Sequence, residues 1–293
     1  MVKYTDETIV MKRIQTRLKW NKVWKRIFFL ATMFALFILV VLVGRIVFQG
    51  IGYFDWDFFN QYASRFPEKA GVKAAFIGSI LLMLVVAPTS IILGVATAIY
   101  LEEYAKKNKL NDLIRTNISN LAGVPSIVFG LLGLTIFVRM FGLGKSVLAA
   151  GLTMSLLILP IIIVAAQEAI RAVPNEQREA SYAMGATKWQ TISRVVLPAA
   201  IPGILTGSIL ALSRAIGETA PLVVIGIPVI VHFLPDSLLS EFTALPLQIY
   251  DWAKRPQEEF QHVAAAGIIV LMMVLILMNS IAVYIRNKFQ KRY

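Results

Sequence analysis

The sequence contains no cysteine among its 293 residues, which excludes disulfides and thiolate metal sites and leaves the redox compartment unread. Histidine is almost as scarce. His232 and His262 stand far apart and read as loop residues rather than metal ligands. Charged residues amount to only 16% of the chain, against about 25% in an ordinary soluble domain. Of the two signs the acidic one is the scarcer, 17 Asp and Glu against 29 Lys and Arg, for a formal net charge of +12. No G-x-x-x-x-G-K-[ST] stretch occurs, so the chain cannot itself cradle nucleotide phosphates.

What is present is apolar. Hydrophobic residues make up 57% and the mean hydropathy is +0.70. A hydrocarbon core of about 30 Å takes roughly 20 apolar residues as helix. The chain offers six such runs, near 27–48, 72–101, 118–140, 147–167, 198–226 and 263–285. The expectation is an all-α polytopic membrane protein with six transmembrane helices, a basic tail at 1–26 and a single membrane domain over 27–293. The run from Ile27 is too long for a signal peptide and reads as a retained span. With both termini cytoplasmic, 20 of the 29 Lys and Arg fall inside, eight outside, and Arg214 within the membrane. That is the positive-inside pattern, and it accounts for the charge without a nucleic-acid partner.

Along the chain, Trp20 and Trp24 flank the first span where amphipathic rings favour the interface, and the tail before them reads as a plain cytoplasmic segment rather than a surface helix. Pro88 and Pro160 are expected to bend spans 2 and 4. In the connector EEYAKKNKLNDLIR, residues Glu102, Glu103, Lys106 and Lys107 have the spacing of local ion pairs on a solvated hairpin tip. Gly123, Pro125, Gly130 and Gly133 give span 3 a close-packing face, although Gly-Val-Pro could instead mark a broken helix lining a pathway. The segment 227–262 reads as the longest outer loop, its Phe242, Tyr250 and Trp252 placed to dock a partner or rest at the interface. No internal repeat is evident, which argues against inverted-repeat carriers.

Two constellations carry chemistry. Pro174 to Arg194 reads as two short helices around a turn: Gly185 can end the first in the left-handed conformation, and Thr187 with Gln190 forms a capping box for the second. A capped helix pair outside the membrane has the shape to fit a groove on another protein. The other is Arg214 with Glu218, four apart on one helical face in mid-span. A central arginine costs about 2.5–3.5 kcal/mol to insert, so it faces protein or a watery path. It is either an internal salt bridge or a substrate site. The physical chemistry favours an oxyanion, which guanidinium grips bidentately, while Glu218 can accept a hydrogen bond from the protonated oxygen that hydrogen phosphate has and sulfate lacks.

Glu179-Ala180-Ser181, then Gly185, Val195 and Leu197-Pro198 at their spacings resemble the EAA signature of ABC importer permeases, E-A-A-x3-G-x9-I-x-L-P. Ser181 for Ala and Val195 for Ile are the departures. The resemblance implies the type I (MetI-like) permease architecture, with Glu179 contacting a cytoplasmic ATPase that alone binds ATP and Mg, so that this chain is not an enzyme and holds no cofactor. The stretches SRFPEKAG, NLAGVPSIVFGLLG, ILPIII, LSRAIGETAPL and FTALPLQIYDWAKRP are further similar to phosphate-importer permeases of the PstA type. That family implies a PstC-type sister permease, a PstB-type ATPase dimer and a PstS-type phosphate-binding protein as partners, inorganic phosphate as substrate, a bacterial plasma-membrane location, and Arg214, Glu218 and Thr219 along the pathway.

Overall fold

The computed structural model describes residues 7–106 and 108–289, and these are almost entirely helical, with a lone bridge between Ser146 and Glu241 as their only β pairing. The long helices are α1 (Glu7–Gly50), α3 (Lys73–Ile99), α6 (Val147–Arg171), α9 (Leu197–Gly217) and α12 (Glu258–Phe289). Shorter ones are α2 (Trp56–Asn60), α4 (Lys109–Leu121), α5 (Ser126–Gly133), α7 (Asn175–Ala183), α8 (Lys188–Thr191), α10 (Ala220–Ile225) and α11 (Leu245–Lys254). Five helical stretches are long and apolar enough to cross a membrane, six if the bent pair formed by α4 and the helix after it counts as one.

Helix α6 is the hub. Two thirds of its apolar stretch lies inside the protein, whereas none of that of α1 does. A helix apolar all round needs either protein or lipid on every side, and these two take opposite solutions. Small residues set the approach of the neighbours: Gly94 of α3 meets Ile162, Val85 meets Gly151, and on α9 Gly203 and Gly207 meet Ala169 and Ala165. Numbers rise together along α3 and α6 and oppositely along α9 and α6, so α3 runs parallel and α9 antiparallel to the hub. Met154, Leu157 and Ile158 join Leu82, Val86, Ala211 and Ala215 in the resulting core.

The structure revises several sequence expectations. The tail is not a separate segment: the described part of it is helix continuous with span 1, while residues 1–6 lie outside the described residues. Span 3 does not run from 118 to 140. The chain breaks at Gly123-Val124-Pro125 and turns by 104°, because Pro125 cannot extend the helix before it, so α4 leaves at an angle and only Ser126–Met140 continues the span. The helix is therefore broken at Gly-Val-Pro, and the close-packing expectation holds beside it, with Gly130 against Pro221 and Gly133 against Thr153. Span 5 is likewise split, at Glu218.

The outer segment 227–262 is a packed element and not a free loop. Phe242 and Trp252 are fully buried, which removes them from any docking surface, and the Trp252 ring lies 6.1 Å from that of Phe58. Ser79 Oγ accepts the Leu245 amide at 2.8 Å, satisfying a donor at the start of α11, and Gln248 Nε2 donates to the Gly71 carbonyl at 3.2 Å. A methyl group on Gly78 would stand 2.0 Å from the Thr243 carbonyl oxygen. Gly78→Ala is therefore expected to destabilise the chain by about 1–3 kcal/mol, the cost of overpacking. Gly44→Ala, which meets nothing within 4 Å, is the matched control. Equal denaturation midpoints for the two purified variants would contradict this packing.

Candidate functional site

The charged site forms where α9 stops. Pro221 in a continuing helix would clash with the carbonyl of Gly217 and lacks an N–H to bond it, so the helix ends at Gly217. Glu218 is extended (φ −76°, ψ 116°), and α10 begins at Ala220 with Pro221 in its first turn. Arg214 occupies the last turn of α9, where a cation suits the unpaired carbonyls. Despite the break the pair closes: Arg214 Nε donates to Glu218 Oε1 at 3.1 Å.

Glu218 engages only Nε. Neither Nη group of Arg214 has a hydrogen-bond partner among the described residues, and the arginine side chain is 51% exposed against 19% for the glutamate. The carboxylate thus holds the guanidinium from the side and leaves the end-on fork open. The Thr219 side chain caps no backbone group and stands partly exposed beside it. Continuing the pairing of Gly203 with Ala169 and Gly207 with Ala165 places Arg214 opposite Ile158, halfway along α6. Behind the pair, α10 is fixed by α5: a methyl on Gly130 would stand 2.9 Å from Pro221 Cα.

The hairpin is built at the other end of the same helix. Helix α7 closes at Gly185, whose φ of +80° is the left-handed region that glycine adopts at least cost. The Thr187 amide donates to Gln190 Oε1 at 2.8 Å and the Gln190 amide to Thr187 Oγ1, completing the capping box. The second helix is not short, however. From Lys188 it runs through a wide π turn, Ile192–Val196, into α9 and on to Gly217. Pro198 accounts for the turn, since its ring cannot share an ordinary turn with the carbonyl of Arg194. Glu179 and Ala180 are exposed; Leu197 packs inward and Pro198 lies on the surface in the first turn of α9.

Ser181, one of the two departures from the EAA pattern, has a partner that the motif does not call for: its hydroxyl lies 2.9 Å from that of buried Thr191 and ties the two arms together. At the tip Met184 is 88% and Trp189 60% exposed, a pair of apolar knobs on either side of Gly185. Trp189 sits on the surface at a variable position of the signature, between Gly185 and Val195, so the motif gave no reason to single it out.

A third cluster departs from its sequence expectation. Among the described residues Glu102 and Glu103 pair with distant arginines and not with Lys106, and Lys107 lies outside the described residues. Glu102 is 10% exposed and binds Arg115 of α4, Gln167 Nε2 at 2.9 Å and Arg171 Nη2 at 2.8 Å. Glu103 takes Arg178 of α7 at 3.0 Å, and the same arginine donates to the Ile170 and Val173 carbonyls. The hairpin is thereby clamped to the ends of α3 and α6 through charges distant in sequence. No set of three or more metal-ligating side chains converges among the described residues, and His262 Nδ1 lies 3.1 Å from the Gln49 carbonyl.

Residues 90–291, which contain the hairpin and the charged site, match the model of the binding-protein-dependent transport system inner membrane components. The chain belongs to that family. It is 35% identical to the phosphate transport system permease protein PstA of Mycobacterium leprae, covering 92% of this chain and 90% of that one. With PstA of Yersinia pestis it shares 32%, over 94% and 95%. A probable ABC transporter permease protein of Bacillus subtilis, YqgI, is 36% identical over 63% of each chain. Among solved structures, an inward-facing MetNI methionine ABC transporter aligns with a TM-score of 0.62 over 75% of this chain and 96% of that one, at 17% identity. A bacterial alginate ABC transporter aligns at 0.65 over 95% and 99%, at 14% identity. Family membership makes this chain a multi-pass membrane permease, with the fold expected from its EAA signature.

Proposed function

We propose that the chain is one membrane-spanning subunit of an ATP-driven importer that carries inorganic phosphate across a bacterial cytoplasmic membrane. The observation that carries this reading is the guanidinium of Arg214, held at Nε by Glu218 and open along its Nη fork halfway through the helix bundle. Such a fork matches two oxygens of a tetrahedral oxyanion. The PstA relatives, alike over nine tenths of the chain, support phosphate as that oxyanion.

In this reading Glu218 Oε2, which has no partner among the described residues, accepts a hydrogen bond from the protonated oxygen of hydrogen phosphate, and Thr219 borders the path. The α7–α8 hairpin seats in a groove of a PstB-type ATPase dimer through Glu179, Ala180, Ser181 and Gly185, and the ATPase holds ATP and Mg. A PstC-type sister completes the pathway with its own cation, and a PstS-type protein delivers phosphate. Uptake into vesicles containing all four components tests it. Glu218→Gln is expected to bring phosphate and sulfate uptake closer together, and Glu179→Ala to weaken the stimulation of uptake by ATP. An unchanged phosphate-to-sulfate ratio in Glu218→Gln would remove the selectivity role, and failure of any ATPase to co-purify would remove the importer.

A further inference from the structure

Arg214 belongs to a face of α9 that stays exposed between its contacts with α6 and α12. Ala199, Gly203, Leu210, Arg214 and Gly217 are all exposed, at spacings that keep them on one side of the helix. One edge of this face meets α6 through Gly203 and Gly207. The other edge meets α12 and is polar. Ser213 Oγ lies 2.6 Å from Asn279 Oδ1, and Arg286 Nη1 donates to Thr206 Oγ1 at 3.4 Å. Seven residues separate the two contacts on each helix, so α9 and α12 run antiparallel with both pairs along the same border.

Thr206 is eight residues from Arg214, about 12 Å along the helix towards the hairpin. The α9–α6 pairing sets it opposite Ala166, beside the Gln167 that donates to Glu102. Arg286 at that position lacks the carboxylate that five described arginines have, and it alone among the described arginines encloses an Nε without a partner. Arg115, Arg171, Arg178, Arg214 and Arg255 each meet a carboxylate. No described carboxylate pairs with Arg286, its Nε is enclosed without an acceptor, and Nη2 reaches only the Asn287 amide oxygen at 3.3 Å. Thr206 fixes its orientation, because the threonine proton goes to the Pro202 carbonyl at 2.8 Å and the oxygen is left to receive Nη1. Nε and Nη2 then form a side-on edge with no anion on it, at the border of the face that carries Arg214.

We propose that Arg286, positioned by Thr206, is a second phosphate-binding residue, taking the transported anion at the hairpin end of the path after it leaves Arg214. This rests on the reading of Arg214 as a phosphate site. A lipid phosphodiester offers the same chemistry, so the test separates the two sources. The complete importer is reconstituted both in phospholipid vesicles and in vesicles of digalactosyldiacylglycerol, which has no phosphate. Phosphate taken up and ATP hydrolysed are measured for Arg286→Gln, Arg286→Lys, Thr206→Val and, in parallel, Arg214→Ala. Arg286→Gln is expected to lower maximal uptake and phosphate moved per ATP by about tenfold in both lipids, the scale of one charged hydrogen bond. Half-saturation by the loaded binding protein should not change; Thr206→Val should show a smaller loss, and Arg286→Lys partial rescue. A normal phosphate-to-ATP ratio in Arg286→Gln overturns the second site, and so does a deficit confined to phospholipid vesicles, which would assign the arginine to a headgroup. Normal uptake by Arg214→Ala would instead remove the first site, while Arg286→Gln still decides the second.

Discussion

Arg214→Ala is expected to abolish phosphate uptake, by about 100-fold or more, while the complex still assembles. The size follows from the geometry: both open Nη groups would donate charge-assisted bonds to the anion, each worth about 1.5–3 kcal/mol. The stability cost is small by comparison. The arginine is half exposed and its bond to Glu218 is an exposed-type pair of the kind that contributes less than about 1 kcal/mol. Arg214→Lys should recover only part of the activity, because an ammonium supplies a point charge and not a fork. Uptake by vesicles, with co-purification as the check on assembly, measures both. Wild-type rates in Arg214→Ala would show that the pair is structural and that the anion passes elsewhere.

The other large effect is expected at the clamp. Glu103 and Arg178 are 9% and 15% exposed, so removing one partner leaves an enclosed charge, at a cost of about 3–5 kcal/mol. Arg178→Ala also frees the Ile170 and Val173 carbonyls where α6 gives way to α7. Its denaturation midpoint should drop sharply, and ATP hydrolysis should proceed with little uptake, since the hairpin is no longer tied to the end of α3. The double replacement Glu103→Gln with Arg178→Gln removes both charges and should regain most of the stability. If it regained transport as well, the pair would be a packing device with no part in passing movement from the hairpin to the spans. A double-mutant cycle read on both quantities separates the two roles.

The clamp also shows where reading from sequence stopped. Glu102 and Glu103 have lysines at helical spacing nearby, and local spacing is all a sequence offers for pairing charges. Their actual partners lie 13 to 75 positions away. The arginines reach them because α3 and α6 run parallel and end together, a fact of packing. Phe242 and Trp252 are buried for a related reason, whereas Tyr250 stays exposed. A segment rich in proline with few long apolar runs reads as exposed, yet α11 folds back onto α3 and α12, where Gly78 leaves room for it.

By contrast, the hairpin turn was legible. Gly185 and the Thr187 and Gln190 box act within four residues of themselves, so their consequences need no tertiary partner. The helical membrane class, with five or six spans, and the pairing of Arg214 with Glu218 came from hydropathy, charge and spacing, which are local properties too. What the sequence alone could not settle is direction and depth. That Arg214 sits halfway along α6, that its Nη fork stays open while Nε is held, and that Arg286 reaches the border of the same face all depend on which helices touch. Those contacts are set by small residues meeting across α3, α6 and α9 and by polar pairs between α9 and α12, and only the folded bundle brings them together.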